Sequence, residues 1–326
     1  MYPAKRLLGI ASPYSKRFLN KYLTSKLSKN EEIEVPKASE KNEKTEQGEE
    51  NEKNIVVNYY DQITAIGINR PDKKNCLNVA TAEELSKELD KFENDENSVV
   101  GVLYGVGGNF CSGYDLKEIA QYNGKNEEVL PQFSVLSNRN SLCKKPLIAA
   151  INGYALGVGL ELALMCDLRV IEESALLGFT NRRFNIPILS GGTVRLPALI
   201  GYSRAMDLIL TGRILRAKEA FTWGLANRYT CEGAVLGEAV TVAKSFVKFS
   251  QKVLLADRAS AHFATFSAKE IEEALQFEKD NASHLVFEEG VKGAKRFVDG
   301  NVGRHGHFQN ITNIDLEFKE LDKDLL

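Results

Sequence analysis

Little in this chain supports a metal-built or disulfide-built protein. Its five cysteines, at 76, 111, 143, 166 and 231, form no CxxC pair and no disulfide ladder, which fits a reducing compartment. The four histidines show no zinc spacing, and Arg304-His305-Gly306-His307 sets two of them in a glycine-rich tail without further ligands, so no metal is expected. Neither sign of charge dominates. With 42 basic and 44 acidic residues the formal net charge is −2, which argues against general binding to nucleic acid or to an anionic membrane surface. No basic stripe interleaved with aromatics marks an RNA surface. A membrane span is not expected either, because Asn152 and Glu161 break the most apolar stretch short of the roughly 20 residues needed.

Acidic residues are missing altogether from positions 1–30, where Lys5, Arg6, Lys16, Arg17, Lys21, Lys26 and Lys29 stand among serines. That composition is expected of a mitochondrial transit peptide, although it also suits a basic tail that targets nothing; no apolar h-region makes it a secretory signal. Residues 31–53 are almost without apolar side chains and read as a disordered charged linker.

From Asn54 the chain acquires structure-forming periodicity. Ile55–Tyr60 and Ile63–Ile68 read as a hairpin across Asp61-Gln62, and Arg70-Pro71-Asp72 ends it. Thr81 with Glu84 makes a capping-box pattern ahead of Leu85, Leu89 and Phe92. A strand is expected over Val99–Tyr104, a helix over Asp115–Gln121 and another over 131–143. Further strands are expected over Leu147–Ile151 and Leu168–Ile171. Residues 202–226 read as two helices, and 234–249, 268–285 and 288–298 are helical in pattern. Strand and helix alternate, the sign of a layered α/β domain with parallel pairing.

Two stretches of the form strand, glycine turn, helix start carry the chemistry. One runs through Gly107-Gly108-Asn109-Phe110-Cys111-Ser112-Gly113-Tyr114-Asp115, the other through Asn152-Gly153 to Gly157-Val158-Gly159. The second lacks a full GxGxxG and so is not read as a dinucleotide fingerprint. A helix beginning near Val158 leaves its first N–H groups without intrahelical acceptors, a place for a negatively charged oxygen. Paired with the amide of Tyr114, the amide of Val158 can serve one such oxygen, with the Glu161 carboxylate one turn further along.

With NFCSGYDLKE at 109–118, INGYALGVGLELALMCDLRV at 151–170 and SGGTVRLPALIG at 190–201, the chain resembles the crotonase superfamily of enoyl-CoA hydratases and isomerases over about residues 54–305. The resemblance implies a ββα spiral core at 54–250 and C-terminal helices at 251–310 that cover the acyl site and build trimers or hexamers, followed by a tail at 311–326. It implies an acyl-CoA thioester as substrate, with coenzyme A as part of that substrate and no separate cofactor. A loop over the acyl pocket is expected around Tyr122–Glu128. Glu161, Tyr114, Val158 and Asn181 fall at catalytic positions. Cys111, Gly113, Asp115, Gly157 and Arg182 fall around the substrate.

The residues themselves qualify this. Asp115 reads as a helix cap, and Cys111 as a small packing residue, no histidine being near it in sequence. Glu161 is a proton carrier or else a charge balancing nearby arginines. The resemblance places a second glutamate where this chain has Asn181, which holds a water but exchanges no proton at neutral pH. Arg182 and Arg183 either make structural ion pairs across an oligomer contact or meet a carboxylate on the substrate, and the latter would favour decarboxylation. Lys73, Lys74, Lys295 and Arg296 are solvated charges or contacts for nucleotide phosphates. Hydration of a 2-enoyl-CoA is the expected reaction, with isomerisation or decarboxylation as alternatives, and a non-catalytic acyl-CoA-binding scaffold as an alternative of another class.

Overall fold

A computed structural model of the chain describes residues 53–121 and 143–299, all within a compact unit that begins at Glu52. The transit-peptide segment, most of the linker, the Tyr122–Glu128 loop, nearly all of the helix expected over 131–143, the His305-His307 pair and the tail lie outside the described residues. Strands β1 (Ile55–Tyr60) and β2 (Ile63–Ile68) pair antiparallel with Tyr60 opposite Ile63. Asp61 takes the left-handed backbone of the two-residue turn, φ 52°, a conformation Asp tolerates. Helix α1 (Val79–Asn94) follows, then β3 (Val100–Gly105) and the short α2 (Leu116–Ile119).

The capping-box expectation is corrected here. Asn78 is the cap, its Oδ1 accepting the Thr81 N–H at 3.0 Å. Glu84 does not reach back to the cap; it accepts the Ile55 N–H at 3.3 Å and ties the helix to β1. Asn caps at least as well as Thr, and it stands at the point where the chain leaves its extended conformation.

The chain continues through β4 (Leu147–Ile151), β5 (Tyr154–Leu156), α3 (Val158–Met165), β6 (Leu168–Glu172) and β7 (Leu176–Gly178). After a 3₁₀ turn at Thr180–Phe184 come α4 (Gly192–Ile200), α5 (Tyr202–Thr211), β8 (Leu215–Arg216), α6 (Ala217–Thr222) and β9 (Arg228–Thr230). Helices α7 (Val235–Val247), α8 (Gln251–Phe266), α9 (Ile271–Ala282) and α10 (Val291–Val298) complete the described chain.

The strands form a six-stranded sheet ordered β1-β2-β3-β4-β6-β9, parallel after the first hairpin, and a three-stranded sheet ordered β5-β7-β8. Alternation along the central strands sorts their side chains to two faces. Val100, Val102, Ile148, Ala150 and Val170 pack with Val235, Ala239, Val240 and Ala243 of α7. Leu103, Leu147, Ala149, Ile151 and Ile171 belong to a larger core with α1, α3 and the small sheet. This is the α/β architecture with C-terminal helices that the sequence led us to expect, and it puts the ends of β3, β4 and β5 beside one another.

Candidate active site

The first glycine turn is fixed to the second by main-chain bonds. Phe110 N–H donates to Asn152 O at 2.9 Å, Cys111 N–H to Tyr154 O at 2.7 Å, and Leu156 N–H to Cys111 O at 3.0 Å, so residues 110 and 111 run along one side of β5. On the other side β5 pairs with β7, and Gly157 N–H donates to Gly178 O at 2.8 Å. Buried Asn75 adds a clamp, its Nδ2 donating to Val106 O at 2.8 Å and to Asn109 O at 2.5 Å. Gly159 is a glycine for a packing reason, because a Cβ there would strike the Cys111 carbonyl.

Gly157 is a glycine for a backbone reason. At φ 54°, ψ −122° it adopts a conformation that side chains disfavour, and it turns the chain from β5 into α3. A Cβ built on it lies 3.9 Å from the Gly113 Cα and 3.9 Å from the Asn181 Cβ, so three distant segments meet at this residue. The first α-helical bond of α3 is Glu161 N–H to Gly157 O at 3.2 Å, which leaves Val158 among the N–H groups without an intrahelical acceptor. Around the other turn, Leu77 N–H donates to Gly113 O and Asp115 N–H to Leu77 O, both at 2.8 Å. By the alternation of an extended chain the Tyr114 N–H therefore points away from Leu77. The far end of α3 is held by buried Arg169, which donates to Cys166 O at 2.7 Å and to Ala163 O at 3.2 Å. Cationic donors are favoured at a helix C-terminus.

Glu161 is 2 % exposed. Its Oε1 accepts the N–H of Ser190 at 2.6 Å and of Gly192 at 3.0 Å, so the carboxylate sits on the N-terminal end of α4. Burial raises its pKa; these N–H groups and the nearby Arg195 pull the other way without cancelling the rise. No ion pair among the described residues joins Glu161 to Arg182 or Arg183. The motif at 190–201 is quoted easily from the sequence, but its role as the seat of Glu161 is visible only in three dimensions.

A cleft is lined by Ser112, Gly113, Tyr114, Leu116, Gly157, Val158, Glu161, Thr180, Asn181, Phe184 and Ile186. Five of the sequence-derived catalytic or binding positions beyond Glu161 therefore converge: Gly113, Tyr114, Gly157, Val158 and Asn181. Among the described residues that line the cleft, Glu161 is the one carboxylate. The Tyr114 hydroxyl lies 3.3 Å from Ser190 Oγ, and burial pushes its pKa up to about 12, so it stays protonated. Leu116, Phe184 and Ile186 supply an apolar flank, of which only Leu116 falls within a motif quoted from the sequence.

Three expected substrate neighbours do not line the cleft. Arg182 points the other way: its Nε and Nη2 donate to Ile209 O at 3.4 Å, and its Cβ packs over Gly212. Arg182 is thereby removed from the reading in which a substrate carboxylate, and with it decarboxylation, is favoured. Asp115 caps α2, accepting the Lys117 N–H at 3.1 Å, and pairs with Arg70 at 3.2 Å. Cys111 is fully buried with its thiol pushed up to about 12, an inert packing residue. Lys74 is placed over the Tyr154 ring, 5.0 Å from its centroid, and its carbonyl accepts the Ser112 N–H at 3.1 Å, so this turn borders the cleft. No cluster of three or more metal-ligating side chains occurs among the described residues, and none of their helices is long and apolar enough to cross a membrane.

A buried carboxylate beside the open end of a short helix, within a spiral of ββα units, defines a crotonase-type site. The chain belongs to the enoyl-CoA hydratase/isomerase family, whose profile matches residues 58–303. It is 31% identical to the mevalonyl-coenzyme A hydratase of Aspergillus fumigatus over 242 residues, 73% of this chain and 88% of that one. It is likewise 31% identical to a Dictyostelium discoideum protein named "Probable enoyl-CoA hydratase, mitochondrial" over 248 residues, 75% of this chain and 81% of the relative. Among solved structures, the enoyl-CoA hydratase of Bacillus anthracis superposes with a TM-score of 0.70 at 33% identity, covering 76% of this chain and 97% of that one.

Proposed function

We propose that the protein adds water to a 2-enoyl-CoA. The observation that carries this reading is Glu161: a buried carboxylate, anchored through one oxygen by the Ser190 and Gly192 amides, in the same cleft as Tyr114 and Val158. The amides of Tyr114 and Val158 hold the thioester oxygen, where negative charge collects as the enolate forms; one such donor is worth about 3 to 4 kcal/mol of barrier. Glu161 takes a proton from the attacking water and returns one to the α-carbon. Coenzyme A arrives and leaves with the substrate, its nucleotide end near the Lys73-Lys74 turn and its acyl chain against Leu116, Phe184 and Ile186. No separate cofactor takes part.

A second reading has its own support. A single carboxylate that removes a proton at one carbon and returns it at another is sufficient for double-bond migration, and Asn181 supplies no second acid. Crotonyl-CoA turnover followed by loss of enoyl absorbance, with Glu161→Gln beside it, separates the two. Turnover confined to 3-enoyl-CoAs would replace hydration by isomerisation, and coenzyme A binding without any turnover would favour the scaffold.

Import into the mitochondrial matrix is proposed from the basic, acid-free segment 1–30. A fluorescent protein carrying residues 1–53 at its N-terminus should be imported and shortened. Assembly into a trimer or hexamer is proposed from the exposed Val286, Phe287 and Val298 of the C-terminal region, and sedimentation equilibrium tests it.

A further inference from the structure

Arg195 folds back over the start of its own helix. Its main-chain N–H donates to Gly191 O at 2.9 Å, an opening bond of α4, and its Nη1 donates to Ser190 O at 2.9 Å. Ser190 therefore carries the guanidinium on its carbonyl and, at 2.6 Å, the Glu161 carboxylate on its N–H. Gly191 opens the way: its φ is 91°, and a Cβ there would strike the guanidinium. A cation in the first turn of a helix opposes the helix dipole, and no ion pair among the described residues engages Arg195. The nearby anion is Glu161. Burial raises the Glu161 pKa, while the Gly192 and Ser190 N–H groups and then Arg195 pull it down. Burial lowers the Arg195 pKa, and Glu161 is the largest influence against it. Three other titratable groups face the pair, all uncharged at neutral pH. Tyr114 faces Glu161 and Cys166 faces Arg195, both kept protonated by burial. His262 of α8 faces Arg195, its charged form disfavoured by burial, Arg258 and Arg195 against the pull of Asp167.

We propose that Arg195 is a positioning residue for Glu161: it clamps the Ser190-Gly191-Gly192 turn whose N–H groups seat the carboxylate, and its charge is the counterion of that carboxylate across the turn. This role deepens the hydratase reading and rests on it. Arg195 itself touches no reacting atom. Its donor and its charge act on different properties. The bond to Ser190 O fixes where the two amides point, and so where the carboxylate lies in the cleft. The charge favours the ionised carboxylate, the form that accepts a proton from water, and so extends the working range of the enzyme to lower pH. Glutamine at this position can donate a hydrogen bond but carries no charge, whereas lysine keeps the charge on a different donor geometry.

The kcat/KM of the full-length enzyme for crotonyl-CoA across the acid range tests this. Removing the cation raises the Glu161 pKa, so in Arg195→Gln the acid limb should move up by roughly half to one pH unit. Well below the limb, kcat/KM should then fall about 3- to 10-fold. Arg195→Met should shift the limb alike and covers the case in which the glutamine variant does not fold. Arg195→Lys should return the limb to within about 0.3 pH unit of wild type, and His262→Gln should leave it in place. A lower plateau with an unmoved limb in both uncharged variants would show a merely structural clamp. A limb that lysine does not restore would deny the charge its part, and one that moves in His262→Gln as far as in Arg195→Gln would belong to the histidine. Each of these overturns the proposal. Ionisation of Glu161 is also read without turnover, from the carboxyl infrared band that Glu161→Gln removes. Wild-type enzyme that hydrates no enoyl-CoA overturns the hydratase reading instead, and titration of that band in wild type and Arg195→Gln then decides whether the pair stands.

Discussion

Replacing Glu161 with Gln is the sharpest perturbation of the site, because it changes the chemistry and almost nothing else. The Gln side-chain oxygen can keep both N–H bonds that Oε1 now accepts, from Ser190 at 2.6 Å and Gly192 at 3.0 Å. Folding stability at neutral pH should therefore move by no more than about 1 kcal/mol. Alanine would instead leave two buried donors unpaired, a loss of about 2 kcal/mol or more. Catalysis should behave differently, since in the proposed mechanism one group performs both proton transfers; kcat for crotonyl-CoA should fall about 10³- to 10⁴-fold in Gln, with KM little changed. The pH dependence follows the same residue. Burial raises the Glu161 pKa, and the base must be ionised, so the acid limb of kcat/KM should lie above the ordinary carboxylate range and be absent from the residual rate of the variant. Stability has the opposite sign. A folded-state pKa above the unfolded one gives wild type a contribution that is complete below the unfolded value and is lost as pH rises through the folded one. The neutral variant lacks that loss. Absorbance assays and urea melts across the acid range measure both limbs. A Gln variant keeping more than about a tenth of the wild-type rate would refute the proton-carrier role.

Two further outcomes follow from the parts around the carboxylate. Asp115→Asn should cost about 1 to 2 kcal/mol at neutral pH through the lost cap charge and the lost Arg70 pair, with little change in kcat. Burial alone would raise the Asp115 pKa, but Arg70 and the Lys117 N–H outweigh it and hold it low, so the wild-type advantage should be present above the unfolded carboxylate pKa and vanish as pH falls through the folded one; urea melts at the two ends of that window check it. Gly157→Ala meets no atom closer than 3.9 Å, so its cost is conformational, about 1 to 3 kcal/mol from the positive φ, and it should lower kcat more than it raises KM because the Val158 amide moves with it; thermal melts and steady-state kinetics together test this.

Where a segment announces itself by local chemistry, it could be read from the letters alone. The β1–β2 hairpin, β4 and the start of α3 follow from β-branched runs, turn residues and glycines, and the pairing of Glu161 with the Val158 end of α3 follows from helical spacing. Where burial depends on partners far along the chain, the letters fall short. Helix α8 was expected from the resemblance alone and not from periodicity, because it buries only Ala256, Ser260 and Phe263, small or polar residues except the last, and its apolar stripe is correspondingly weak. Strands β5, β7, β8 and β9 are two or three residues long and leave no period to detect. Arg182 looked like a site residue because it follows Asn181 directly; the tight 3₁₀ turn sends the two side chains in different directions, and only coordinates reveal which one faces the cleft.

One of these strands without a readable period is the one from which the site hangs. Three-residue β5 has residues 110 and 111 bonded along one edge and β7 along the other. The Tyr114 turn therefore lies to one side of Gly157 and the Asn181 turn to the other. Side-chain packing alone would set these segments to within a rotamer change; main-chain bonds on both edges set them to a register, and a one-residue slip would reverse which side chains face the cleft. Ala155, fully buried at the middle of β5, is small enough to let both flanking segments approach. The glycines at 113 and 157 then carry the chain out of the sheet by conformations that other residues disfavour. Placement of the two amides and of Asn181 is thus a property of backbone pairing, and it does not depend on which side chains form the apolar flank at Leu116, Phe184 and Ile186.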